Sequence, residues 1–148
     1  MTLCDVNVYV NAHRPENAHH AFYRAWLGRL LDTARTFAYC EFILGSFVRI
    51  VTHPRIYRTP TPLPQAFAFT DAIRRHPRAI PLMPGARHWE IFQRLCVTAS
   101  AAGNLTTDAY LAALAIECGA EWVTADLDFR RFSSLRCTLL RPSHSLDA

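Results

Sequence analysis

The stretch "LCDVNVYVNA", residues 3–12, is apolar and rich in β-branched side chains, yet it contains the acid Asp5. This composition predicts a buried first strand over residues 2–10. An ionised carboxylate enters a protein core only when a partner compensates for the loss of water. Asp5 therefore needs either a buried arginine beside it or a cation bound at the end of the strand.

The predicted elements beyond this stretch alternate between helix and strand. The spacing of apolar residues predicts helices over residues 21–34, 36–53, 63–76, 86–102 and 107–118, the last with Thr106 or Thr107 as its N-cap. Shorter apolar runs predict strands within residues 78–85, 120–129 and 136–142, and the proline-rich stretch 54–64 is a loop. Short strands separated by helices are typical of an α/β domain with a mainly parallel sheet.

The bulk properties indicate one folded domain. The chain has 148 residues, of which 51% are hydrophobic and 19% are charged, a composition that folds rather than stays disordered. No apolar run approaches the roughly 20 residues that span a bilayer, and a secretory signal is not expected at the N-terminus. The five cysteines are odd in number and lack CxxC spacing, which favours free thiols in a reducing cytoplasm over disulfides or a zinc site.

The positive charge is carried by arginine alone. The chain has 16 basic residues, no lysine and a net charge of +4, which is compatible with a nucleic-acid partner because the guanidinium fork suits phosphate. For the missing lysines alone, a compositional bias of the source genome is the favoured explanation. Candidate phosphate contacts are Arg55, Arg58, Arg74, Arg75, Arg78, Arg130 and Arg131, and a solvated basic face is the alternative for each cluster.

Three further acids lie where a surface acid would not be expected. Glu41 shares a predicted helical face with Leu44 and Val48, so we expect it to point inward. Asp108 begins a predicted helix, and Asp126 follows the predicted strand "EWVT", with Asp128 two residues later. Ligand sites in open α/β sheets lie beyond the carboxyl ends of the strands, and Asp126 belongs there by position.

Each acid also has a structural explanation. Asp5 would be satisfied by a buried arginine, Asp108 by the positive end of a helix, and Asp128 by capping the turn "FRRF". If the acids converge instead, they repel one another and require a cation. Ligation by oxygen alone, without histidine or cysteine, is typical of Mg²⁺ or Mn²⁺.

Three stretches carry a family resemblance over nearly the whole chain. They are the opening stretch, "CEFILGSFVRIVTHPR" (40–55) and "TTDAYLAALAIECGAEWVTADLDF" (106–129). The last is the most specific, with TDA-x-LAALA, a Gly-Ala turn and a strand that ends T-x-D-x-D-F. Together they resemble the PIN domain, and within it the VapC-type toxin ribonucleases of bacterial toxin–antitoxin pairs.

The resemblance implies a single PIN-like domain over residues 1–148, with three α/β/α layers. It implies that Asp5, Glu41, Asp108 and Asp126 form the family's acidic quartet, with the Thr124 hydroxyl beside the last acid. In this interpretation Asp5, Asp108 and Asp126 hold Mg²⁺ or Mn²⁺, with Asp128 as a further candidate ligand. Glu41 would place or deprotonate the attacking water.

The implied activity is the endonucleolytic hydrolysis of RNA, in which water attacks in line while divalent metal relieves the phosphate's charge. The implied partners are the RNA substrate, a cognate antitoxin that masks the site and a second copy of the chain in a homodimer. The helical stretches 21–31 and 42–51 are candidate contact surfaces, although core packing would explain the same residues.

Three other functions remain open at this point. An aspartate-based phosphotransfer enzyme of the dehalogenase or receiver type is disfavoured, because both rely on a lysine that this chain lacks. A metal-independent ribonuclease could use His13, His19, His20 or His53 as acid and base. A non-catalytic module that binds RNA or a partner protein is the third alternative.

Overall fold

A computed structural model describes residues 1–142 and contains five strands and six α-helices. The strands are β1 (Thr2–Cys4), β2 (Phe37–Tyr39), β3 (Ala79–Pro81), β4 (Glu121–Thr124) and β5 (Cys137–Leu139). The helices are α1 (Val6–His13), α2 (His20–Thr33), α3 (Glu41–Val51), α4 (Leu63–Arg74), α5 (His88–Ala99) and α6 (Asn104–Glu117), and a 3₁₀ helix spans Leu127–Arg131.

The five strands form one sheet in the order β3-β2-β1-β4-β5, with every neighbouring pair parallel. The register places Cys4 of β1 opposite Val123 of β4. Because all strands run the same way, their carboxyl ends lie along one edge of the sheet. The predicted parallel sheet is confirmed.

Helices cover both faces of this sheet. Helix α1 packs against α2 and α3, and α3 packs against α4, whereas α5 packs with α6. Strand β4 contacts both α1 and α6, and its Trp122 is fully buried. This confirms the α/β class and the three-layer α/β/α architecture.

The first strand is shorter than predicted. It ends at Cys4, and Val6–His13 is helical although the segment is rich in valine. Helix α1 buries Val8, Tyr9 and Val10 against its neighbours, and this packing outweighs the β preference of the residues. Asp5 therefore lies at the junction of strand and helix, not inside a strand.

The helix predicted over 36–53 is also wrong in its first part. Residues Phe37–Tyr39 form β2, all three buried, and α3 begins only at Glu41. A strand buried on both faces has no polar alternation, so its pattern does not distinguish it from a buried helix. Helix α6 begins earlier than predicted, with Gly103 as its N-cap in place of Thr106 or Thr107.

The remaining predicted elements match the structure to within a few residues. All five cysteines are free thiols. Within residues 1–142, none of the helices combines the length and the apolarity that a membrane crossing requires.

Candidate active site

Asp5 is the N-cap of α1 and is only 5% exposed. Its Oδ1 accepts a hydrogen bond from the Val6 amide at 2.6 Å. Its Oδ2 accepts from the Thr124 hydroxyl at 2.6 Å and from the Asn7 amide nitrogen at 2.8 Å. No arginine or histidine of residues 1–142 forms an ion pair with it. The alternative explanation of Asp5, a buried arginine partner, therefore does not hold for the part of the chain that the structure describes.

Asn7 and Thr124 join the ends of β1 and β4 around this carboxylate. Asn7 donates to the Thr124 hydroxyl at 3.0 Å and accepts from the Ala125 amide at 3.0 Å. The Thr124 hydroxyl also accepts from the Asp126 amide at 3.0 Å. Asn7 was not among the predicted site residues. The available signal was a polar side chain two residues after Asp5 in an otherwise apolar run.

Asp126 follows β4 and caps the 3₁₀ helix. Its Oδ1 accepts from the Asp128 amide at 2.9 Å, so the capping residue of this turn is Asp126 and the prediction of Asp128 in that role is wrong. Asp128 is exposed and lies 3.7 Å from the Arg131 guanidinium. Asp126, and not Asp128, contributes to the electrostatic environment of Asp5.

Asp108 is half-buried in the second turn of α6. This position lies beyond the first turn, where the helix dipole acts on acids, so the dipole does not explain it. Burial raises the pKa of Asp108 most, and with the charges of Asp5, Asp126 and Asp128, in that order, it brings this pKa to about 6. The structure thus brings Asp108 into the field of the other three acids.

The pKa of Asp5 is also raised to about 6, primarily by burial. Its hydrogen bonds from Thr124, Val6 and Asn7 lower the pKa, and the charge of Asp126 raises it. Burial therefore outweighs three hydrogen bonds to the carboxylate. Both acids are poised so that a proton or a cation stabilises the folded state.

Glu41 does not point inward, contrary to the prediction. It is the first residue of α3, its side chain is 70% exposed, and it accepts a hydrogen bond from Arg74 of α4 at 2.7 Å. Leu44, on the same helical face, is buried as expected. Helical periodicity gives the direction of a side chain around the axis, but not how far the core extends along it. Glu41 follows β2 and so stands at the same edge of the sheet as Asp5.

The acids suit a hard divalent cation. Within residues 1–142, no group of three or more His, Cys, Asp or Glu side chains stands close enough to enclose a metal ion. Mg²⁺ is ordinarily held by one or two carboxylates and keeps several waters, so it does not need an all-protein cage. Asp5 offers a buried carboxylate without a compensating arginine, and Asp108 stands within its field. This oxygen donor set fits Mg²⁺ or Mn²⁺.

Comparison with known proteins gives the same family as the motifs. The family model of the PIN domain matches residues 2–135. Ribonuclease VapC25 of Mycobacterium tuberculosis is 40% identical over 136 residues, which cover 92% of this chain and 96% of the relative. Ribonuclease VapC37 of the same organism is 34% identical over 138 residues, covering 92% and 94%.

Solved structures share the fold at lower identity. Mycobacterium tuberculosis VapC20, described as a Sarcin-Ricin loop cleaving toxin, superposes with a TM-score of 0.68 at 15% identity and covers 96% of this chain and 100% of its own. VapBC2 from Rickettsia felis, bound to a DNA fragment from its promoter, gives 0.67 at 20% identity, covering 93% and 96%. The family model, the curated relatives and the three-layer fold agree, and the chain belongs to the PIN-domain family and, within it, to the VapC-type ribonucleases.

Proposed function

We propose that the protein is a Mg²⁺- or Mn²⁺-dependent endoribonuclease that acts as the toxin of a toxin–antitoxin pair and hydrolyses phosphodiester bonds in RNA. The observation that carries the proposal is Asp5, a buried carboxylate that no arginine of residues 1–142 neutralises and that lies in the field of Asp108 and Asp126. A folded protein retains such an arrangement at a cost in stability, and a cation at the site would offset that cost.

Some residues of the chain would bind the ion directly, and others would orient those ligands. Asp5 and Asp108 would contact it directly and Asp126 would complete the set, with Asp128 as an outer candidate. Thr124 and Asn7 fix the rotamer of Asp5 through its Oδ2, which is an outer set of contacts of the kind that orients metal ligands. When bound, a divalent ion supplies charge relief at the phosphate and at the leaving oxygen.

Glu41 remains in this proposal as the residue that places or deprotonates the attacking water. Its pairing with Arg74 is exposed on both sides, and exposed ion pairs are weak. The side chain can therefore leave Arg74 at little cost and turn along the sheet edge toward Asp5. The role requires that movement.

The histidine mechanism receives no support from the described contacts. His13 packs edge-on against Phe47 and Phe69, and His20 bonds the Asn11 carbonyl at 2.9 Å. Both rings are thus occupied in holding α1, α2 and their neighbours together.

The proposed partners follow from the family. A VapC-type chain is expected to have a cognate antitoxin and to form a homodimer, and an RNA substrate together with free thiols fits the cytoplasm. Membership of the VapC-type ribonucleases supports each of these assignments.

The test is cleavage of an end-labelled RNA by purified protein in Mg²⁺, in Mn²⁺ and in EDTA. We expect cleavage with either metal only, leaving 5′-phosphate ends, because water attacks and the 3′-oxygen departs. Asp108→Asn should abolish cleavage while the far-ultraviolet dichroism stays unchanged. Cyclic-phosphate ends or full activity in EDTA would show that the metal mechanism is wrong and would favour the histidine alternative.

A further inference from the structure

A cavity of about 240 Å³ lies between α5 and the end of the 3₁₀ helix with the segment that follows it. Arg94 and Thr98 of α5 line one side, and Arg131, Ser133 and Ser134 line the other. The buried side chains of Leu95 and Phe132 also contribute to its lining. Two arginines, one threonine and two serines thus line one space, and no Asp or Glu of residues 1–142 is among the lining residues.

Both guanidinium groups are available to a ligand. Among the described residues, no carboxylate lies within ion-pair distance of Arg94. Arg131 has Asp128 as its ion-pair partner, through Nε at 3.7 Å, and both side chains are more than half exposed. Such a pair is weak in water and leaves the two terminal nitrogens of Arg131 free. The guanidinium of Arg14, by comparison, is buried and hydrogen-bonded to Thr61 and Glu16, so it is not accessible to a ligand.

The cavity adjoins the acids of the candidate active site. Arg131 is the last residue of the 3₁₀ helix that Asp126 caps. At a rise of about 2 Å per residue, five residues separate the two positions by about 10 Å. Helix α5 is anchored on α6, which carries Asp108. One RNA strand can therefore contact the acids and the cavity together.

From this geometry we infer that the cavity, here called the Arg94–Arg131 pocket, binds a backbone phosphate of the RNA next to the bond that is cut. The inference rests on the proposed function. A guanidinium fork binds phosphate oxygens with two parallel hydrogen bonds, and serine and threonine hydroxyls add further donors. Phosphate contacts fix register and carry no base information. The pocket accordingly positions the strand on the acids without selecting its sequence.

The test measures binding apart from cleavage. A fluorescein-labelled single-stranded 12-mer RNA of mixed sequence is titrated with protein in EDTA, and its anisotropy is recorded at several salt concentrations. The variants are R94Q, R131Q and R94Q/R131Q. The matched control is R29Q, which removes the same charge from an exposed position on α2, in the other helical layer, where no described carboxylate pairs with it.

We expect each single pocket variant to weaken binding about tenfold, as for loss of a charge-assisted hydrogen bond. The double variant should bind RNA only slightly more weakly than either single variant. Both side chains contact the same phosphate, so the two losses of affinity do not add. The slope of log Kd against log salt should fall by about 0.7, the value for one phosphate contact on a single strand. The RNA affinity of R29Q should stay within about twofold of wild type, since this variant changes only the overall electrostatic potential of the protein.

Three outcomes would overturn the inference. The first is equal affinity of R94Q/R131Q and R29Q, and the second is a wild type that binds no RNA. The third is a thermal shift with 10 mM inorganic phosphate that the double variant loses while its RNA affinity stays unchanged, which would assign the pocket to free phosphate. Cleavage with Mn²⁺ is measured separately. Loss of RNA affinity in the pocket variants of a protein that cuts no RNA would support the pocket and refute the proposed function.

Discussion

Asp5 is a carboxylate surrounded by three hydrogen-bond donors, yet burial still raises its pKa to about 6. The donors come from Val6, Asn7 and Thr124, and each favours the ionised form. The protein therefore orients this charge well but does not neutralise it. The uncompensated negative charge of Asp5 is therefore available to a cation.

The first prediction concerns pH. The pKa values of Asp5 and Asp108 are about 6 in the folded state, against 3.8 for a free aspartate, so the folded state holds more protons between these values. The free energy of unfolding should rise as pH falls through 6, and the gain is complete below about 4. For Asp5 alone the difference amounts to about 3 kcal/mol at most.

Urea unfolding in EDTA between pH 8 and pH 5 measures this effect. Burial lowers the pKa of His13, whose contribution has the opposite sign in the same range, so the comparison must be with Asp108→Asn. The variant should gain less stability than wild type on acidification. Identical pH profiles for the two proteins would contradict the raised pKa of Asp108.

The second prediction concerns metal. A cation that binds only the folded state stabilises it by RT ln(1 + [L]/Kd), which is about 1.4 kcal/mol for a Kd of about 1 mM at about 10 mM Mg²⁺. The Tm should rise by about 3 °C. Asp5→Asn should melt higher than wild type in EDTA and gain almost nothing from Mg²⁺. Glu90→Gln, at an exposed position on α5, should respond as wild type. A wild-type Tm that does not change when Mg²⁺ or Mn²⁺ is added would indicate that Asp5, Asp108 and Asp126 do not form a common site.

The third prediction concerns Asn7. Replacement by alanine removes its hydrogen bonds to Asp5, Thr124 and the Ala125 amide and should destabilise the fold by about 1–3 kcal/mol. It should also weaken the Mg²⁺-dependent Tm shift, because Asp5 loses a contact that fixes its rotamer. A purely structural role would lower the Tm and leave the Mg²⁺ shift intact.

At the scale of elements, helices α3 and α4 are joined at their exposed surface by the pairing of Glu41 with Arg74. Glu41 is the first residue of α3 and lies at the sheet edge, and its hydrogen bond from Arg74 of α4 holds its side chain facing outward. The pairing therefore sets how readily Glu41 can face the other acids.

The fourth prediction separates the two residues. Arg74→Ala should preserve or raise the cleavage rate, by up to about fivefold, because Glu41 no longer has to leave a partner. Glu41→Gln should reduce the rate strongly, with or without Arg74. Single-turnover cleavage in Mn²⁺ is the measurement. If Arg74→Ala lost as much activity as Glu41→Gln, the arginine would itself be part of the site.

Sequence patterns predicted the presence of helices and strands better than the residues at which they begin and end. The helix over Leu63–Arg74 and the strand over Glu121–Thr124 stand out because proline or glycine lies before each and the apolar spacing is regular. Strand β2 does not stand out, because it is buried on both faces and runs directly into α3. Valine-rich α1 owes its helical form to packing that local sequence does not encode.

The same distinction applies to the site. Asp5, Asp108 and Asp126 were predictable because an acid in an apolar setting is conspicuous and parallel strands align their carboxyl ends. Asn7 was missed because an uncharged amide has no such signature. The outward turn of Glu41 depends on Arg74, which lies 33 residues away in sequence, and no local pattern contains that contact.

At the scale of the whole molecule, the helical layers leave free the sheet edge at which the carboxyl ends of the strands lie and near which Asp5, Asp108 and Asp126 influence one another. The net charge is +4, yet three aspartates concentrate negative charge at this edge. Arginines of the Arg94–Arg131 pocket lie beside it. A polyanion is therefore attracted to the surroundings of the site, while the acids themselves favour a cation.

The fifth prediction concerns the intact protein in a cell. Induced expression of the wild-type chain should slow bacterial growth, and Asp108→Asn at equal soluble yield should not. Asp71→Asn, an acid of α4 that pairs with Arg74 and Arg75, is the matched control and should slow growth as wild type does. Continued toxicity of Asp108→Asn would remove this residue from the site.

The hydrogen bond between Asp5 and Thr124 joins residues that are 119 positions apart. Because translation runs from the N-terminus, Asp5 leaves the ribosome 119 residues before Thr124. At about 5–20 residues per second, the interval between them is roughly 6–24 s. Throughout that time the nascent chain has β1 without β4, and therefore no assembled acidic edge. A chain under synthesis thus has no nuclease activity until β4 has left the ribosome, and the ribosome that makes it is not exposed to a working nuclease before that point.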